Sequence, residues 1–169
     1  MGLFSCPRNL DVENFLREKS IRFEQSLNSR TYLIFDEHTE HILAYFALTF
    51  KQIHIDHAMM SKTKIKSIDG MSKNAKFINA FLIGQIGKNK NVKHNSICLK
   101  FILDEIYSVL FEAQKIVGGR IVILECEDEQ NLISLYQKHG FELIELESDI
   151  QSNLKTMYYN ISNLVKCKN

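Results

Sequence analysis

Between Asn79 and Val117 the chain reads as an apolar segment, a short polar loop and a long amphipathic helix, and no other stretch restricts the fold as much. Leu99, Ile102, Leu103, Ile106, Val109, Leu110, Ala113 and Val117 recur at three- and four-residue spacing, while Lys100, Asp104, Glu105, Ser108 and Glu112 fall on the other side. That is the period of a helix with one buried face. Asn95 or Ser96 is placed to cap its N-terminus, and Gly118-Gly119 to stop it in left-handed geometry. The preceding Asn79-Ala-Phe-Leu-Ile-Gly-Gln-Ile-Gly87 reads as a buried strand. A strand that enters a helix through a polar loop leaves backbone N–H groups without partners and turns the positive end of the helix dipole toward the loop. Lys88 to Asn95 is rich in lysine and asparagine, so the unit has the chemistry of an anion site, with phosphate the usual occupant. A plain core strand and helix joined by a solvated loop explains the apolar residues equally well, but leaves the loop's positive charge unexplained.

A chain of 169 residues, 45% of them hydrophobic and with a single proline, is expected to fold as one domain over residues 1–169. No apolar run is long enough to cross a bilayer, and Met1-Gly-Leu-Phe-Ser-Cys-Pro lacks the basic start and apolar centre of a signal peptide, which predicts a cytoplasmic protein without a membrane partner. Cys6, Cys98, Cys126 and Cys167 form no CxxC pair and read as reduced thiols. The net charge is only +1, but it is unevenly spread. Ser61 to Lys93 holds eight lysines against the single acid Asp69, and Asp104 to Asp149 holds eleven acids against Lys115, Arg120 and Lys138. Such a division suits a local basic face that meets phosphates; solvated lysine-rich loops are the plainer alternative.

In chain order, Asp11 is a candidate N-cap for a helix reaching about Leu27. Arg30 to Phe35 and His41 to Phe50 read as two strands of an antiparallel hairpin, the second extending toward Asp56. Ala58 to Ile65 is a short helix and Ser67 to Lys76 an open polar loop. Beyond the central unit come a strand at Arg120 to Cys126, a helix at about Asn131 to His139 stopped by Gly140, and strands at Phe141 to Leu146 and Lys155 to Ile161. This order predicts an α+β domain on a mixed, mostly antiparallel sheet flanked by helices.

In that order the residues resemble the GNAT acetyltransferases, and most closely the GNAT-type toxins of bacterial toxin–antitoxin pairs. Phe4-Ser-Cys6, Asp11 with Phe15-Leu16, Ser29-Arg-Thr31 and Ala44-Tyr-Phe-Ala-Leu48 stand where those toxins place similar segments. Leu82-Ile-Gly-Gln-Ile-Gly87 is similar to the family's fourth strand, and Leu135-Tyr-Gln-Lys-His-Gly-Phe141 to its Tyr-x-x-x-Gly-Phe motif. The family's pyrophosphate loop carries two glycines; in Asn91-Val-Lys-His-Asn-Ser-Ile-Cys98 their positions are taken by His94 and Ser96.

The resemblance implies an N-acetyltransferase that uses acetyl-CoA. It implies backbone N–H groups at Ile86, Gly87 and Lys88 for the pantetheine arm and the thioester oxygen. It places the phosphates on Lys93, His94, Asn95, Ser96, Ile97 and Cys98, with Lys88 and Lys90 supplying further charge. Tyr136 would protonate the departing thiolate, a role suited to a phenol with an ordinary pKa near 10; on spacing alone it is a core aromatic that shares a helix face with Leu132. Glu125 could attract or deprotonate an amine, or be a solvated strand end. The acceptor implied is the α-amine of an aminoacyl-tRNA, whose acetylation blocks translation, with Lys62, Lys64, Lys66, Lys73 and Lys76 as phosphate contacts. An antitoxin protein and a second copy of the chain complete the partners. Two other readings stay open: a GNAT enzyme acting on a protein or small-molecule amine, and a GNAT-fold binding module with a degenerate coenzyme A loop. His54-Ile-Asp-His57 could place His54 and Asp56 on one strand face, but a pair of ligands is too few for a metal site, and none is expected.

Overall fold

The computed structural model describes residues 4–55, 60–146 and 153–163. Its elements are α1 (Leu10–Asn14), a π-helical turn (Phe15–Lys19), α2 (Ser20–Gln25), β1 (Arg30–Phe35), β2 (Ile42–His54), α3 (Lys62–Asp69) and β3 (Phe77–Lys88). There follow α4 (Leu99–Val117), β4 (Ile121–Glu127), α5 (Gln130–Gln137), β5 (Glu142–Ile144), β6 (Leu154–Asn160) and a 3₁₀ turn (Ile161–Asn163). The six strands form one sheet in the order β1-β2-β3-β4-β6-β5. β1 runs antiparallel to β2, and β6 lies antiparallel between β4 and β5. The α+β, mostly antiparallel architecture expected from the sequence is the observed one. The chain divides into two compact units, one of Met1–Thr49 with Ile83–Ile106 and one of Phe50–Leu82 with Tyr107–Asn169, so that β2, β3 and α4 each contribute to both.

The first unit is built around Tyr45. Its ring is buried among Phe4, Val12, Phe15, Leu16 and Ala47, edge-on to Phe4 at 5.2 Å, and its hydroxyl donates to the Val12 carbonyl at 2.5 Å. The N-terminal helix starts two residues earlier than predicted, because Asn9 accepts the Val12 N–H at 3.1 Å; Asp11 lies instead in the first turn, where an acid favours the helix dipole. The widened turn at Phe15–Lys19 leaves both Phe15 and Leu16 buried. The helix ends at Gln25, short of Leu27, which is exposed and takes φ 59°.

In the second unit Ile53, Ile55, Ile65, Ile68, Ile78, Ile121 and Ile123 form the core. Here α3 corrects the expected boundary: Ser61 Oγ accepts the Lys64 N–H at 3.2 Å and starts a helix that buries Ile65 and Ile68, so Ser67 to Asp69 are helical rather than loop. Ala58 and Met59, predicted to be helical, lie outside the described residues. β5 is shorter than predicted, since only Glu142–Ile144 pair with β6. The expected stop of α4 holds. Gly118 and Gly119 take φ 75° and 113°, the Gly118 N–H donates to Gln114 O at 2.9 Å, and a Cβ on Gly119 would lie 2.4 Å from the Phe81 ring.

Candidate functional site

β3 is irregular where the site begins. In the second unit it pairs with β2 through Phe50 and Phe81 (ring centroids 4.9 Å apart), Gln52 and Asn79 (3.1 Å), and His54 and Phe77 (5.1 Å). In the first unit Gly87 faces Tyr45, and the Asn89 N–H donates to Leu43 O at 2.8 Å. Between these two sets of partners β3 uses one residue more than β2, which is a β-bulge. The extra residue lies between Phe81 and Gly87, a stretch that includes Gly84, where a Cβ would lie 3.9 Å from the Ala47 carbonyl oxygen. A bulge leaves a backbone group outside the ladder, and glycine inside a strand commonly marks one.

Gly87 follows on the Tyr45 side, where a Cβ would lie 2.6 Å from the Tyr45 ring, 2.7 Å from Val12 and 2.9 Å from Phe4. Packing therefore accounts for this glycine without any ligand. Gly87→Ala is expected to lower stability by about 1–3 kcal/mol through overpacking, read as a fall in the urea midpoint at unchanged m-value.

Beyond β3 the loop is held by two asparagines. Asn89 is 3% exposed and was not singled out by sequence reasoning. Its Oδ1 accepts the N–H groups of Ser5 and Asn91, each at 3.0 Å, and its Nδ2 donates to Ile42 O at 2.8 Å. Asn95 Nδ2 donates to Leu43 O at 2.8 Å and Asn89 O at 3.0 Å, while its Oδ1 accepts the Ile97 N–H at 3.1 Å. This corrects two expectations. Asn95 braces the loop instead of capping the helix, and α4 starts at Leu99, with Cys98 O accepting the Ile102 N–H at 3.3 Å. The Asn95 N–H is itself directed to Val92 O at 3.4 Å, so Asn95 and Ile97 offer no free backbone donor.

What remains is a cluster of donors. Among the described residues the backbone N–H groups of Lys93, His94, Ser96 and Cys98, and of the first α4 turn from Leu99 to Phe101, have no hydrogen-bond acceptor. Lys88, Lys90 and Lys93 form no ion pair within the same set. His94 takes φ 56°, the left-handed conformation a glycine adopts freely, and both His94 and Ser96 are exposed. The loop thus has the backbone shape of a glycine turn without the glycine. His94→Gly is expected to stabilise the fold by up to about 1 kcal/mol by removing left-handed strain, offset in part by unfolded-state entropy, with tighter binding of acetyl-CoA in calorimetric titration.

Tyr136 lies on α5, half-buried, edge-on to Phe141 at 5.9 Å. Burial, with a smaller contribution from Cys126, pushes its phenol up to about 12. Its hydroxyl has no hydrogen-bond partner among the described residues. Glu125 is not a free base, because Lys51 Nζ pairs with its Oε1. Lys64 is likewise engaged: it pairs with Glu142, which also accepts the Tyr158 hydroxyl at 2.9 Å, and sits 4.7 Å from the centroid of the Tyr158 ring. Lys62, Lys66, Lys73 and Lys76 are exposed and unpaired among the described residues. His54 packs on Phe77, whereas Asp56 and His57 lie outside the described residues. The second unit also carries a groove of about 600 Å³ lined by Phe50, Lys51, Gln52, Asn79, Phe81 and Gly119 among others, to which no predicted site residue contributes.

No protein-family model and no curated protein matches the chain. Solved structures do. AtaT complexed with acetyl-methionyl-tRNAfMet superposes with a TM-score of 0.76 at 17% identity, over 98% of this chain and 90% of that one. A tyrosine-to-phenylalanine variant of KacT gives 0.72 at 20% identity, over 97% and 89%. AtaTR bound with acetyl-CoA gives 0.72 at 17%, over 98% and 89%. Along nearly its whole length, the chain therefore has the fold of the GNAT-type toxins AtaT and KacT.

Proposed function

We propose that the chain is an acetyl-CoA-dependent N-acetyltransferase of toxin type that acetylates the α-amine of aminoacyl-tRNA and so blocks translation. The observation that carries this reading is the donor cluster at the start of α4: unpartnered N–H groups at Lys93, His94, Ser96 and Cys98, with Lys88, Lys90 and Lys93 uncommitted beside them in sequence. Such a cluster fits a diphosphate and has no structural task of its own. Acetyl-CoA supplies an acetyl group activated as a thioester. In this reading a backbone N–H at the end of β3, at Ile86, Gly87 or Lys88, would meet the oxygen on which charge develops during acyl transfer. Tyr136 would give its proton to the departing thiolate as the C–S bond breaks, and the amine loses a proton to water as the C–N bond forms; that proton returns to the tyrosinate from solvent, so the net change is one acetyl group moved.

The engaged Glu125 favours an α-amine over a lysine side chain as acceptor. With its carboxylate paired to Lys51, the acceptor has to be neutral before it arrives. An α-amine, with a pKa of about 8, is partly neutral at pH 7.5, whereas a lysine amine at about 10.4 is neutral in roughly one molecule per thousand. The neighbouring structures that hold acetyl-CoA, an acetylated initiator tRNA and the antitoxin AtaR support the same reading and suggest an antitoxin partner.

Purified protein incubated with radiolabelled acetyl-CoA and total aminoacylated tRNA is expected to yield acid-precipitable, base-labile label and to arrest a cell-free translation extract. Label transferred to a lysine-rich peptide and not to tRNA would overturn the α-amine assignment. Reversal of Lys62, Lys66, Lys73 and Lys76 to glutamate is expected to raise the KM for tRNA at least tenfold and flatten its salt dependence, at unchanged KM for acetyl-CoA.

A further inference from the structure

We propose that the open face of β2 and β3 in the second unit is a platform on which unpaired RNA bases stack. The proposal rests on the aminoacyl-tRNA reading and deepens it by naming a surface for the single-stranded part of that substrate. Along this stretch the two strands turn Ile53, Ile78 and Ala80 into the core. The alternate residues form three cross-strand pairs: Phe50 with Phe81, Gln52 with Asn79, and His54 with Phe77. All but Phe81 are exposed, Phe50 at 64% and Phe77 at 55%. The groove of about 600 Å³ follows the first two pairs and is walled by Val117, Gly118 and Gly119.

The chemistry of the row selects flat, hydrogen-bonding ligands. Phe50 rests on the buried Phe81 and leaves the rest of its ring open, and an exposed ring stacks bases whatever their sequence. Between the ring pairs, Gln52 Nε2 donates to Asn79 Oδ1 at 3.1 Å, which leaves Gln52 Oε1 as an acceptor and Asn79 Nδ2 as a donor. Turning both amides over leaves the same two functions side by side. A donor next to an acceptor matches the pairing edge of an unpaired base.

The rim supplies charge for the phosphates. Lys76 directly precedes Phe77 and Lys73 lies three residues before it, both exposed. Arg120 follows the groove residue Gly119, and its side chain reaches the turn after α3, where a Cβ on Gly70 would meet Arg120 Nε at 2.5 Å. None of these three cations forms an ion pair among the described residues. The acids beside them are engaged: Asp69 accepts the Met71 and Ser72 N–H groups, and Glu112 pairs with Lys115. A second copy docked through the same face would therefore add three more cations and no free carboxylate. A single strand of RNA answers both the rings and the charge.

The test follows the fluorescence anisotropy of a labelled short single-stranded RNA, with a duplex of the same sequence as control. Phe50→Leu with Phe77→Leu keeps apolar bulk and removes the flat faces. The melting temperature of this double variant is expected to stay within a few degrees of wild type, while its affinity for the single strand falls at least about twentyfold. Its affinity for the duplex, whose bases are already stacked, should not move. Lys73→Gln, Lys76→Gln and Arg120→Gln together are expected to reduce the slope of log K against log salt by about two. Gln52→Glu, an exposed change that leaves both rings in place, should weaken single-strand binding at least about tenfold and serves if the double variant is unstable. Equal single-strand affinity in wild type and these variants, or no binding by wild type, overturns the platform. So does a wild-type dimer that the double variant dissolves in sedimentation, which assigns the face to a second copy. If wild type transfers no acetyl group to aminoacyl-tRNA yet binds the strand, and the double variant does not, the platform stands and the acetyltransferase reading fails. Transfer with the same KM for aminoacyl-tRNA in both proteins keeps that reading and removes the platform.

Discussion

Tyr136→Phe is expected to lower kcat for acetyl transfer at least a hundredfold while leaving the KM for acetyl-CoA within about twofold, the size typical of a lost general acid. The substitution removes one hydroxyl and keeps the ring against Phe141, so stability should change by less than about 1 kcal/mol. The same variant should no longer arrest a cell-free translation extract. Equal turnover by Tyr136→Phe and wild type would remove the proton-donor role. The pH dependence carries a second check. Burial pushes the phenol up to about 12, so the acid form persists through the neutral range and no descending limb in kcat below about pH 11 should come from this group. A raised folded-state pKa also means that the contribution of Tyr136 to stability is fully present below its ordinary value near 10 and is lost as the pH climbs toward 12. Alkaline unfolding should accordingly be shallower across that window in Tyr136→Phe.

Asn89→Ala is expected to cost about 3 kcal/mol or more, because one buried carboxamide satisfies the Ser5 and Asn91 N–H groups and the Ile42 carbonyl, and alanine leaves all of them unpartnered. For a chain of this size that corresponds to a fall of about 6–12 °C in melting temperature. The effect should reach the cofactor. Asn89 ties the exit of β3 to both the N-terminal segment and β2, and its own carbonyl receives Asn95 Nδ2 at 3.0 Å, so the donors at Lys93 to Cys98 lose their frame with it. A weakening of acetyl-CoA binding by at least tenfold is expected in titrations at a temperature where the variant is still folded. Asn89→Asp provides a control that keeps the acceptor for Ser5 and Asn91 and loses only the donor to Ile42. It should fall between wild type and alanine in both measurements. Binding of acetyl-CoA by a folded Asn89→Ala protein with wild-type affinity would mean that the loop is set by other contacts.

Much of the architecture is legible in the sequence. β1 was read with the observed bounds, and α4 was recognised along its apolar face, because these depend on periodicity within a single element. The reading failed where a choice between near neighbours depended on distant partners. Asn95 looked like a helix cap, but its side chain is drawn to carbonyls of β2 and of the β3 exit, so the helix starts later. Asp11 lost the capping position to Asn9, and Ser67 to Asp69 joined α3 because Ile68 completes the buried face begun by Ile65. Asn89 carried no local signal, since an asparagine between two lysines reads as loop and only its burial reveals its function in the fold.

What the sequence by itself determined is what repeats or accumulates locally: the helical and strand periods, the glycine stop after Val117, the concentration of lysines before the long helix, and a combination of short motifs that pointed to the fold shared with AtaT and KacT. Tertiary structure alone decided which polar groups are engaged. Lys64 and Glu125 were candidates on charge, and each is paired with a residue more than seventy positions away. The extra residue in β3 exists only as a difference in register against β2. The physical reason is the same throughout. Backbone preference and hydrophobic period act over a few residues, whereas the satisfaction of a polar atom depends on the single neighbour that folding brings within about 3 Å of it.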